Sequence, residues 1–217
     1  MRTNPFYDAL LFLIGQTPDH DGSGVRYVLV ALFWALAIAG IVIAKRNWDA
    51  DPAQRTTQHL STWFMRTFIG YMWFQGSLWK LPLPISGGFK FWTEEIANYA
   101  AFGLHKSLVT NVYLPLLALI NPIVFLTELS LGAAFILGFA VRPMAALGIL
   151  FVAHLWLGLY QHPHEWPWQY VFLMFTQGMF FVHNAGRSLG LDAILHREPR
   201  GPFAGQGTIA SIYRRFS

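Results

Sequence analysis

The chain is built of long apolar runs rather than short alternations of polar and apolar residues. A membrane-spanning helix needs about 20 predominantly apolar residues, and five stretches approach that length. Residues 27–44 (YVLVALFWALAIAGIVIA) carry no charge and stop at Lys45-Arg46, whereas 63–80 (WFMRTFIGYMWFQGSLWK) are interrupted by Arg66 and Gln75. Residues 112–138 hold Pro115 and Pro122 near their start and Glu128 within, 143–160 follow a short link around Arg142, and 168–184 precede a Gly-Arg-Ser loop. Residues 4–15 (NPFYDALLFLIG) are too short to span. Asn4 can cap a helix with Pro5 in its first turn, and Phe6, Leu10, Leu13 and Ile14 share one face, the pattern of an interfacial helix. Asp8 precedes the apolar run and no small-residue cleavage site follows, so the stretch is not read as a signal peptide. Between the second and third runs, LPLPISGG supplies turns and FKFWTEEIANYAAFG predicts a helix lying as a lid over the membrane surface.

The expected fold is therefore an all-α membrane protein: a four-helix transmembrane bundle plus one extra N-terminal transmembrane helix and short interfacial helices. Its parts are an N-terminal interfacial segment (1–26), the extra helix with its cytoplasmic loop (27–62), the bundle (63–195) and a basic cytoplasmic tail (196–217).

Composition sharpens this picture. Charged residues make up 12% of the chain against about 25% in soluble domains, and the 17% aromatic content suits membrane–water interfaces. The net charge of +4 is scattered, so nucleic-acid binding is not expected, and Gly205-Gln206-Gly207 follows no strand that would make it a nucleotide loop. Threading five spans leaves Arg2, Arg26, Lys80, Lys90 and Lys106 on one side. Lys45, Arg46, Arg55, Arg142, Arg187, Arg197, Arg200, Arg214 and Arg215 fall on the other. The positive-inside rule then puts the N-terminus outside and the C-terminus in the cytoplasm of a multi-pass cell-membrane protein. With no cysteine, the chain can form no disulfide, dithiol pair or Cys-ligated cluster.

Several landmarks follow one another in order. Arg66 leads a helix ending Gln75-Gly76-Ser77-Leu78-Trp79-Lys80-Leu81; Glu128 leads Gly132, Gly138 and Arg142; and the last run finishes in Gly186-Arg187-Ser188-Leu189-Gly190-Leu191-Asp192. Over residues 63–195 this order resembles the DoxX/DoxD-like family of small four-helix membrane proteins. The stretch from His162 to Tyr170 (HPHEWPWQY) looks like the DoxD branch, the small subunit of a thiosulfate:quinone oxidoreductase. The extra helix and Asn184-Ala185 before Gly186 depart from that pattern. The resemblance implies an oxidoreductase subunit acting on a quinone, beside a second protein subunit.

Polar residues at membrane depth mark function or bundle-stabilising pairs. Gln75 and His154 each lie about 8–9 Å below the outer surface at 1.5 Å per residue, and Gln161 follows His154 by seven residues, on the same helix face. Gln75 and His154 are the candidate catalytic contacts to a quinone, as hydrogen-bond donors and, for His154, a proton carrier; hydrogen bonding across helices is their structural alternative. Trp73, Trp156 and Trp168 are candidates for an apolar slot, Gln161 for the outer rim of the quinone site, and Lys80, His162 and His164 for steering the thiosulfate anion. Arg66 and Glu128 are expected to form a structural ion pair, and Gln177 faces a neighbouring helix. His154 and His183 differ in depth by about 13 Å, so they are not expected to ligate one haem, and no metal or covalent cofactor is predicted. The alternative function is a non-catalytic accessory or scaffold subunit of a larger respiratory or photosynthetic complex.

Overall fold

The computed structural model describes residues 4–21 and 24–198, with 203, 207, 208, 210, 211 and 213 of the tail. Arg2, Arg200, Arg214, Arg215 and the Gly205-Gln206 step, which entered the reading of topology and motifs, lie outside the described residues. The elements are α1 (Pro5–Leu13), α2 (Pro18–Asp21), α3 (Arg26–Ala50), a 3₁₀ turn (Pro52–Gln54), α4 (Thr57–Leu78), α5 (Gly87–Asn98) and α6 (Gly103–Leu108). A π turn (Val109–Tyr113) leads on to α7 (Leu117–Leu137), α8 (Val141–Gly158), α9 (Pro167–Val182), a 3₁₀ turn (Ala185–Arg187) and α10 (Leu191–Arg197). No strand occurs among the described residues.

Local chemistry sets the helix ends. The Asn4 side chain accepts from the Phe6 and Tyr7 amides and starts α1, and Thr56 Oγ1 accepts from His59 to start α4 six residues earlier than hydropathy predicts. Charge ends a membrane run but not a helix. The α3 helix therefore passes Lys45-Arg46 and continues on the Lys45–Asp49 pair (2.6 Å) and the Arg46–Glu198 pair (3.0 Å). At the other extreme, the predicted run from 112 begins as a π turn, and regular α-helix resumes only at Leu117.

Three helices, α3, α7 and α8, are long and apolar enough to cross a membrane. The α9 helix has 16 residues, about 24 Å, and α4 carries Gln58, His59 and Arg66 among its apolar residues, so neither matches that description. Val28, Ile38 and Ile41 on α3, Leu119 and Leu126 on α7 and Leu150 on α8 point outward and exposed, as contact with a lipid bilayer requires.

The longest contacts run between α4 and α7 and between α8 and α9, with α3 laid on α7. Backbone meets backbone where α4 crosses α7: a Cβ on Gly132 would stand 2.9 Å from the Phe74 nitrogen, and one on Gly70 would stand 2.9 Å from the Gly132 oxygen. Small residues that permit this approach are the usual device for packing helices in lipid, where burial of apolar surface provides no net drive. One core gathers Trp73, Leu131, Phe135, Val152 and Phe180; a second joins Leu29, Phe33, Phe74 and Leu78, with Phe12 of α1 against it.

The α7–α8 turn is tied from both sides. Arg66 is fully buried and donates to the carbonyls of Phe135, Ile136 (3.5 Å) and Ser188 (3.3 Å), satisfying acceptors that the last turn of a helix leaves open. Gly138 then takes a left-handed conformation (φ +69°), the common helix terminator. Across the turn, Asp192 accepts from the amides of Ala140 (2.7 Å) and Val141 (3.1 Å) at the start of α8, while its own amide donates to Gly138 O (2.8 Å). Burial pushes the Asp192 carboxyl above its ordinary range, against those amides and the Tyr213 hydroxyl (2.6 Å), which favour the charged form. Asn47 of α3 donates to Gly190 O (2.9 Å), and Gln54 accepts from the Leu189 amide (2.7 Å). The expected Arg66–Glu128 ion pair does not form, because the carbonyl end of α7 occupies the guanidinium.

Two substitutions test this packing by denaturant or thermal unfolding of the detergent-solubilised chain. Gly132→Leu forces α4 and α7 apart and is expected to cost at least about 1–3 kcal/mol. Arg66→Met strands the α7 carbonyls and removes charge-assisted hydrogen bonds of about 1.5–3 kcal/mol; an unchanged unfolding midpoint in either variant contradicts the contacts described.

Candidate functional site

The end of the bundle opposite the α7–α8 turn holds a cavity of about 580 Å³, within the roughly 300–1,000 Å³ usual for small-ligand sites. Although α7 and α8 are consecutive, each packs far more extensively on another helix than on its neighbour, and the space left between them is the cavity. Its walls are apolar: Ile120, Ile123 and Val124 of α7 face Leu147, Leu150, Phe151 and Leu155 of α8. Phe89, Trp92, Thr93 and Ile96 of α5 close it above.

Polar groups converge on this space from several elements. After α4 ends, the Asn121 amide donates to the carbonyls of Lys80 (3.1 Å) and Pro84 (3.0 Å) and folds the chain back on itself. Lys80 is thereby buried. Its ammonium sits over the Trp79 ring (3.7 Å to the centroid), donates to Gly76 O (2.6 Å) and forms a salt bridge with Glu128. His154 lies half-buried on α8, stacked on His105 (centroids 4.8 Å, planes 25° apart) and tilted against Tyr113 at 5.2 Å. Burial holds the His105 imidazole below its usual pKa, and among the described residues its Nε2 has no hydrogen-bond partner. Among the described residues neither ring nitrogen of His154 is hydrogen-bonded, so the ring can donate to or accept from a guest in the cavity. On the far wall Tyr170 donates to Glu165 (2.8 Å).

The sequence-predicted site residues separate into two groups. His154 and Lys80 line the cavity, but Gln75 is exposed on the outer surface of α4 and does not, so the expected pairing of Gln75 with His154 is absent. The reason is helical phase: Gly76, not Gln75, faces Glu128. Gln161 does not share a face with His154, because α8 stops at Gly158; Gln161 is exposed and its amide donates to Tyr99 O (3.2 Å). Lys80 was expected on an open rim and instead lies within, neutralised by Glu128. His162 packs between Trp92 and Tyr99 with Nε2 3.1 Å from Glu95, His164 is exposed, and Trp168 points outward beside Phe172. Trp73 belongs to the core and Trp156 packs on Tyr160; Trp79 and Trp92 supply the aromatic wall. Gln177 is buried against Gly148, away from the cavity. His183 lines a different cavity, between α4 and α9. Among the described residues no group of three His, Asp or Glu is arranged to hold a metal ion.

His105 and Tyr113 escaped sequence reading, and Glu165 and Tyr170 stand in the stretch from His162 to Tyr170 without a role assigned to either. Nothing in the pattern joins Tyr113 to His154, 41 positions apart; only the fold brings them together. Asn121-Pro122 inside an apolar run was a usable signal, since an amide at membrane depth needs partners. No protein family, no curated protein and no solved structure matches the chain.

Removing one partner of a buried ion pair strands the other charge at a cost of about 3–5 kcal/mol, whereas replacing both is often neutral. Lys80→Met and Glu128→Leu are each expected to destabilise the chain by that amount, and the double variant to recover most of the loss. Additive single effects in an unfolding-based double-mutant cycle would remove the pair.

Proposed function

We propose that the chain is the integral membrane subunit of a quinone-linked thiosulfate oxidation system, similar to the DoxD subunit, and that the cavity holds the quinone head group. The observation that carries this reading is the cavity itself, whose apolar walls converge on His154 and on the Lys80–Glu128 pair. In this reading α4, α7, α8 and α9 form the four-helix transmembrane bundle, α3 is the extra span, and α5 lies on the outer face of the cell membrane with the C-terminus in the cytoplasm.

The chemistry follows from the ligand. A quinone presents two carbonyl oxygens; His154 and the Lys80 ammonium can each donate to one. Reduction to the quinol consumes two electrons and two protons, and His154, Glu128 and Glu165 on the cavity wall can carry protons. The electrons come from two thiosulfate ions joined through a new S–S bond. That step belongs to a second subunit, because this chain has no cysteine to hold a cluster or dithiol, and Lys80 is paired with Glu128 while Glu165 adds a second carboxylate to the lining, leaving no net positive charge to hold a dianion. The anion-steering role expected of Lys80, His162 and His164 is thus not part of the proposal.

Trp79 and Trp92 provide the readout. A short-chain ubiquinone analogue is expected to quench their fluorescence saturably, with affinity at least tenfold weaker in His154→Ala. Membranes carrying the chain and its partner should reduce quinone on addition of thiosulfate. Unchanged affinity in the variant removes His154 from the site. Quinone-free co-purification with respiratory or photosynthetic subunits, without thiosulfate-dependent reduction, would replace this reading with that of an accessory scaffold.

A further inference from the structure

We infer that the cavity is loaded sideways from the bilayer, through the gap between α7 and α8, and that its ligand is a single-tailed amphiphile: a polar ring held inside and a hydrocarbon tail left in the gap. The inference rests on reading the cavity as the quinone site, and it adds the route and the tail.

Exposure around the cavity is one-sided. Of the residues that line it, only Ile123 on α7 (48% exposed) and Leu147 and Leu150 on α8 (42% and 70%) are solvent-facing, and all three are aliphatic. The roof is the opposite: Phe89, Thr93 and Ile96 of α5 are each 8% exposed or less. The opening therefore lies in the flanks of two helices long and apolar enough to span a membrane, where the surrounding medium is hydrocarbon. A water-soluble guest would have to cross either the packed roof or the lipid. The polar groups occupy the interior, with Glu128 and Lys80 almost wholly buried and His154 further along α8. Polarity thus grades from an aliphatic mouth to a polar interior, which matches an amphiphile entering tail-outward and leaves the mouth in apolar contact once it is bound.

The full chain in phosphatidylcholine nanodiscs, read by tryptophan fluorescence, tests this with three probes whose concentrations are expressed per lipid. These are a decyl-tailed benzoquinone, the same ring without a tail, and a brominated single-chain fatty acid that quenches on contact. The variant Ile123→Phe/Leu150→Phe narrows the mouth with apolar residues at exposed positions, and Leu119→Phe/Leu126→Phe adds the same bulk at exposed α7 positions that do not line the cavity. The tailed quinone is expected to bind at least tenfold more tightly than the tail-less ring. The mouth variant should slow its association at least tenfold, and the Leu119→Phe/Leu126→Phe control should not change it. Equal binding of the two rings, or association indifferent to the mouth variant, overturns the lateral route while leaving the quinone reading intact. Quenching by the brominated chain that the mouth variant abolishes, with no binding of either quinone, retains the route and overturns the quinone reading. Quenching by none of the three overturns both.

Discussion

Helices α4 and α7 touch backbone to backbone where Gly70 meets Gly132, and the polar interior of the bundle is placed by that crossing. With no side chain between them, the two helices run closely enough for residues on either side of the crossing to reach across. Four residues before Gly70, Arg66 reaches the carbonyl end of α7; ten residues after it, Lys80 reaches Glu128. The antiparallel arrangement assigns one cation to each side of the contact. A side chain at either glycine would shift both partners together, so the two polar locks are coupled through a place where nothing polar is exchanged.

The locks differ in kind. Arg66 serves acceptors that the helix end leaves open, and the surrounding knot of Asn47, Gln54 and Asp192 satisfies backbone groups of residues 138–141 and 189–190. The Lys80–Glu128 lock pairs two charges at the edge of a space able to receive a guest. The residues that carry the resemblance to the DoxX/DoxD-like pattern fall largely into the first kind: Arg66, Gly138, Ser188, Gly190 and Asp192 all meet at the α7–α8 turn. In this chain those motif residues close the bundle at that turn, whereas Lys80 and Glu128, which belong to the same ordered set, form the buried pair at the cavity.

Hydropathy located every long helix, because a run of apolar residues is a one-dimensional property. Ends were less legible: α3 outruns its hydrophobic segment by six residues, since Lys45 and Arg46 find partners on and beyond the helix. Pairing was least legible. Arg66 and Glu128 were matched because each was the conspicuous charge in its run, and Lys80, at the end of a run, read as a surface residue. Its burial depends on Asn121 turning the chain inward, a contact across 41 positions. Gln75 and Gln161 failed for local reasons, one by a 100° step of helical phase and one because its helix stops first. His154 was legible as a polar residue at depth, but its neighbours His105 and Tyr113 were not.

The turn at residues 138–141 acts mechanically as well as structurally. Its two flanking helix ends are fastened to other parts of the chain, by Arg66 on one arm and Asp192 on the other, while the arms spread apart around the cavity toward their far ends. The far ends are held by different neighbours: α7 by Asn121, whose amide donates to the Lys80 and Pro84 carbonyls, and α8 by α9 and by the Ala101 amide, which donates to Leu157 O (2.8 Å). The α8 arm, 18 residues and about 27 Å long, converts a rotation of about 5° at the pivot into about 2 Å of travel at the tip, following from its length. The width of the mouth therefore depends on anchors at both ends of the two helices, the turn at one and the partners of Asn121 and Leu157 at the other.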